Sequence, residues 1–248
     1  MKLLIRALFI IACCTTYGCV QTDAPLQPTA TPSDCVILLH GLARSSDSME
    51  EIEQKLKALD YIVVNQDYPS SEYPIATLAE KFIPPALEQC RAHNIRGIHF
   101  VAHSLGAILV RQYLSVHPIP ELKRVVMLAP PNKGSEVVDH LKQLSFFVWL
   151  NGKAGAELGT EPTSVPNSLG PANFDVGVIA GTSSINLLLS LYLPNPDDGK
   201  VSVDNTKLEG MRDFITYPVS HPFIMKDNEV IAQIIYYLQH GQFVHPHP

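Results

Sequence analysis

Two rhythms alternate along the chain. Short continuous apolar runs are followed by stretches in which apolar residues recur every third or fourth position. CVILLHGL (35–42) is the first run, as expected of a strand buried on both faces. The next stretch, 45–60, places Met49, Ile52, Leu56 and Leu59 at helical spacing. YIVVNQDYP (61–69) reads as a second strand and 75–94 as a second helix, which Pro84–Pro85 should break or kink. RGIHFVAHS (96–104), LGAILVRQYLSVHP (105–118) and RVVMLAPP (124–131) predict strand, helix and strand. Regularity then lapses over 132–173, where one helix is expected near 135–149. It returns as strands at 174–182 and 214–220 and a closing helix at 228–241.

Repeated strand–helix units imply an α/β architecture. The expected form is a mostly parallel sheet flanked by helices on both faces, with a cap-like insertion after the fourth strand (132–173). Ligands in such sheets bind beyond the carboxyl ends of the strands. Ser104 falls at one of these ends.

Residues 1–18 read as a signal peptide, with Lys2 and Arg6 beside an apolar stretch too short to span a bilayer. TYGC resembles a lipoprotein cleavage site, which would make Cys19 a lipidated N-terminus and attach the protein to a membrane. IIAC, ending at Cys13, is a second match. Cleavage and release as a soluble secreted protein is the alternative. Residues 19–33, rich in Pro and Thr, form an extended tether. The folded body is then 34–241, with 242–248 as a loose tail. The expected location is the periplasm or the outer membrane and cell envelope.

The chain has 248 residues, 46% of them hydrophobic, which suits one sizeable core. Its net charge of −6, with no basic run, excludes a nucleic-acid partner. Cys35 and Cys90 are the cysteines left in the body. They can pair in an oxidising compartment or remain separate buried thiols, and the second reading is slightly preferred.

Four short stretches carry candidate chemistry. AHSLG (102–106) has the small–x–Ser–x–Gly form of a strand–turn–helix elbow, with Ala102 in place of the commoner Gly. His103 should point away from the site. HGL (40–42) ends the first strand, where the Leu42 N–H can join the Leu105 N–H as an oxyanion hole and His40 can brace the loop. In PNPDDGKVSVDNTKL (194–208), Asp198 is the best acid, with Asp197 and Asp204 as alternatives. In PVSHPF (218–223), His221 is the candidate base. A serine hydroxyl needs such a base, and the base needs an acid to orient it. No metal or nucleotide motif is present, and neither a metal nor another cofactor is expected.

These motifs, with APPNKGS (129–135) and the long 197–225 segment, resemble bacterial lipase/esterase-type α/β-hydrolases over about residues 35–240. The resemblance implies Ser104 as nucleophile, His221 as base, Asp198 as acid, and hydrolysis of a small-molecule or lipid ester. The body starts at what that family counts as its third strand, which implies a trimmed version. Phe146, Phe147 and Trp149 in the insertion are candidate substrate contacts, or else the helix's own core face. An acyltransferase or amidase on the same triad, and a catalytically silent binding lipoprotein, are the other readings.

Overall fold

The computed structural model describes residues 33–141 and 152–245. The leader, Cys19, most of the tether, and Phe146, Phe147 and Trp149 of the insertion lie outside the described residues.

Six strands form one sheet: β1 (Ser33–Leu39), β2 (Ile62–Gln66), β3 (Ile95–His103), β4 (Leu122–Leu128), β5 (Val176–Gly181) and β6 (Asp213–Tyr217). Their order across the sheet is β2-β1-β3-β4-β5-β6, and every pair is parallel. The pleat sorts each apolar run between two cores. Cys35, Ile37 and Leu39, with Phe100 and Ala102, face α2 (Ile75–Arg91) and α3 (Leu105–Leu114). Val36, Leu38 and Val101 face α1 (Glu50–Lys57) and the closing helix (Asn228–His240). Strands buried on both sides need apolar residues without alternation, which is why these runs are continuous.

Three expectations need correction. The Pro84–Pro85 pair does not break α2, which is continuous over 17 residues. The carbonyls that lose their donors belong to Glu80 and Lys81, both exposed to water. Meanwhile Ile83, Ala86, Leu87 and Cys90 bury the opposite face and hold the helix in place. Second, Cys35 and Cys90 form a disulfide, Cα–Cα 5.7 Å. The last turn of α2 lies over the start of β1, a proximity hidden by a sequence separation of 55. Third, the first residues of the tail are packed. Phe243 is buried against Tyr237, and its N–H donates to Asp213 Oδ2 at 2.7 Å.

Candidate active site

Ser104 occupies the one residue between β3 and α3, with φ 52° and ψ −117°. A non-glycine residue in this region costs ~1–3 kcal/mol. Both flanks hold it there. Its N–H donates to Leu128 O at 2.9 Å, and its carbonyl accepts from Ala107 N–H at 3.0 Å. The elbow also brings α3 against the end of β1. A Cβ on Gly106 would lie 2.6 Å from Leu39 O, so no side chain fits at that position. Ala102 is fully buried and its methyl is accommodated. Strand and helix therefore need a small residue at 102 and none at 106.

His221 follows β6 on a loop whose N–H donates to the Asp198 carbonyl at 3.0 Å. Its ring lies between two partners, with Nε2 3.0 Å from Ser104 Oγ and Nδ1 2.7 Å from Asp198 Oδ2. With Nδ1–H donating to the carboxylate, Nε2 is left to accept the serine proton. The second oxygen, Asp198 Oδ1, accepts from Lys200 N–H (3.0 Å) and Val201 N–H (2.9 Å). Ser104, His221 and Asp198 are 8%, 4% and 1% exposed, so water competes little for these bonds.

The other two acid candidates are not used here. Asp197 Oδ1 accepts from Gly199 N–H and Ser190 Oγ–H, each at 2.7 Å, and so clamps the turn that presents Asp198. Asp204 is exposed and pairs with Lys207 at 2.8 Å.

Leu105 is the first residue of α3, where backbone N–H groups lack an acceptor within the helix. Leu42 lies in the loop after β1 and lines the cavity beside Ser104. His40 braces that loop. Its Nδ1–H donates to Gly41 O at 2.9 Å, its Nε2 accepts from Tyr68 N–H at 3.3 Å, and its ring stacks on Tyr68, whose hydroxyl donates to His40 O. Burial lowers the His40 pKa, which keeps this bonding pattern in the neutral ring.

His103 does not point away from the site. It lines the cavity, its Nε2–H donates to His221 O at 3.2 Å, and the two rings lie 4.9 Å apart. Pleating sends the side chain at 103 to the sheet face opposite Ala102, and the His221 loop crosses above that face. Gly41 leaves it room, since a Cβ there would meet His103 Nδ1 at 2.7 Å. Burial, and then the neighbouring His221, hold the His103 pKa well below the usual range. A ring kept neutral adds no charge against an imidazolium forming on His221.

Above the serine is a cavity of about 290 Å³. The insertion supplies much of its apolar wall through Val137, Val138 and Leu141 on α4 (Glu136–Leu141), and through Leu158. Arg111 fixes the base of this wall. It is buried on α3 and donates to Asn132 O (2.9 Å), Asn132 Oδ1 (3.2 Å) and Gly170 O (2.8 Å). Burial lowers its pKa to about 10, and it stays charged at neutral pH. Arg111, Arg44 and Lys200 were not singled out by sequence. The last two have a visible signal in HGLAR and DDGK, each next to a candidate motif. No cluster of His, Cys, Asp or Glu among the described residues is arranged to hold a metal ion.

Comparison with known proteins agrees with the fold. Residues 34–153 match the profile of a family described as alpha/beta hydrolase fold. No curated protein is significantly similar in sequence. Among solved structures, a Bacillus licheniformis lipase in its mature form is 18% identical at a TM-score of 0.61, covering 88% of this chain and 96% of that one. A metagenomic carboxyl esterase is 16% identical at a TM-score of 0.60, covering 82% and 69%. A Legionella pneumophila phospholipase is 16% identical at a TM-score of 0.54, covering 71% of this chain but 46% of its own.

Proposed function

Starting from a chain with the α/β-hydrolase fold and structural likeness to lipases and esterases, we propose that it is a serine hydrolase cleaving carboxylic esters. Ser104 Oγ attacks the ester carbonyl carbon as His221 Nε2 takes the hydroxyl proton. The carbonyl oxygen becomes an oxyanion, stabilised by the Leu42 and Leu105 N–H groups. Collapse breaks the bond to the alcohol oxygen, which receives the proton from His221 and leaves an acyl-serine. Water, deprotonated by His221, then releases the carboxylic acid and restores Ser104.

The observation that carries this reading is the unbroken relay from Ser104 Oγ through His221 to Asp198, at 3.0 and 2.7 Å in a nearly dry setting. The strained Ser104 backbone supports it, since strain of this kind needs surroundings that enforce it. A fluorophosphonate probe should label the native protein at Ser104 and leave Ser104→Ala unlabelled, with circular dichroism unchanged. Equal labelling of both proteins would refute the assignment.

Export is a further part of the proposal. The leader-like start and the Cys35–Cys90 disulfide favour an oxidising compartment. Lipidation at Cys19 would place the enzyme on a membrane surface, and incorporation of labelled palmitate that is lost in Cys19→Ala tests it.

A further inference from the structure

The cavity above Ser104 is largely apolar, and two cations reach it. Arg44 and Lys200 are among its lining residues, which include no Asp or Glu, although the chain as a whole carries a net charge of −6. The nearby carboxylate, Asp198, is already committed to the His221 ring and to two N–H groups. Among the described residues neither the Arg44 guanidinium nor the Lys200 ammonium has a hydrogen-bond or ion-pair partner. Other cations, Lys57, Arg91, Lys123 and Arg212 among them, face a carboxylate.

The loops that carry the two cations are each anchored by hydrogen bonds. Arg44 follows Ala43, whose N–H donates to Ser70 Oγ at 3.0 Å. The Lys200 N–H donates to Asp198 Oδ1, and its carbonyl accepts from Ser135 Oγ–H at 2.6 Å. One side chain is therefore carried on the candidate oxyanion loop and the other on the acid loop. Desolvation of its ammonium at the cavity, and then the Arg44 charge, lower the pKa of the otherwise exposed Lys200, while the Asp198 charge opposes them. Two like charges facing one cavity repel, and an anion bound between them removes that penalty while gaining charge-assisted hydrogen bonds.

We propose that Arg44 and Lys200 form an anion subsite, and that the preferred substrates are esters joining an apolar acyl group to a phosphate- or carboxylate-bearing portion. The substrate part rests on Ser104 being the nucleophile of an ester hydrolase. The subsite itself can be tested apart from turnover.

Binding is measured first in the Ser104→Ala protein, by calorimetry with hexyl phosphate, hexanoate and hexanol. The better anion should bind about tenfold more tightly than hexanol. That advantage should vanish in Ser104→Ala carrying Arg44→Gln and Lys200→Gln, and shrink with added salt. The order of the two anions tells phosphate from carboxylate. Equal affinity for all three ligands overturns the subsite. If the combined variant does not fold, Arg44→Gln alone, at an exposed position, should lose part of the advantage. Turnover is measured second, as the ratio of kcat/KM for carboxyphenyl butyrate to that for its neutral methyl ester. This ratio should be raised about tenfold in the native enzyme relative to Arg44→Gln/Lys200→Gln. Esters cleaved with the same ratio by both proteins would sink the anion preference and leave the hydrolase standing. Anion binding without cleavage of any ester would keep the subsite and sink the hydrolase.

Discussion

Buried histidines with an Asp neighbour occur at both ends of the sheet, and among these two pairs only one forms part of a relay. At the carboxyl end, His221 has a partner on each ring nitrogen, Asp198 at 2.7 Å and Ser104 at 3.0 Å. At the amino end, His99 on β3 lies 3.5 Å from Asp34, and neither of its ring nitrogens makes a hydrogen bond. Asp34 is instead engaged by Lys123 at 2.7 Å. The difference lies in the backbone. His221 and Asp198 sit on loops after strands, where the chain can be turned to aim a ring and a carboxylate. His99 lies within a strand, where the pleat dictates its direction. The amino end also carries the Cys35–Cys90 disulfide, while the carboxyl end carries the strained Ser104. One end is stapled and the other holds strain at the candidate nucleophile.

The sharpest test of this contrast is activity. His221→Ala should lower kcat on a nitrophenyl ester by about 10⁵-fold or more, and Asp198→Asn by about 10³–10⁴-fold because the ring loses its tautomer. His99→Leu should stay near the native rate. A comparable loss in His99→Leu would erase the distinction between the two pairs.

Stability should respond in the opposite sense. Closing a loop of 55 residues contributes about 4 kcal/mol in the chain-entropy account. Cys35→Ser/Cys90→Ser should approach that loss in urea unfolding, while folded protein labels at Ser104 at the native rate. A large change in labelling rate would mean that the two ends are coupled.

The smallest effect is a pH dependence at the amino end. Burial is the main cause lowering the His99 pKa from 6.5 to about 4, and Asp34 opposes it only in part. Between those values the unfolded chain binds more protons than the folded one, so stability falls as pH drops. The loss should be about 2 kcal/mol near pH ~5. His99→Leu should flatten this part of the urea-midpoint profile. A native profile of stability that is flat over this range would count against a buried neutral His99.

Much of this was legible in local pattern. Apolar runs such as CVILL are constrained by burial on both faces, so they identify parallel strands wherever the sheet lies. Ser104, Asp198 and His221 each follow a strand, so their approximate place at the carboxyl edge follows from the rhythm alone. The readings that failed all depended on neighbours distant in the chain. Pro84–Pro85 is tolerated because the sheet holds the other face of α2. Cys35 meets Cys90 because α2 returns across β1. Phe243 is held by Tyr237 and Asp213, and His103 turns into the site because the His221 loop passes over its face.

The sequence by itself determined the strand–helix order, the residue types able to act as nucleophile, acid and base, and the small residues at 102 and 106. Only the tertiary structure decided that Asp198 and not Asp197 meets His221, and that Arg44 and Lys200 share one cavity. The reason is physical. Burial preference and backbone sterics act residue by residue and are written locally, whereas a hydrogen bond or a charge pair depends on distance between loops that are far apart in the chain.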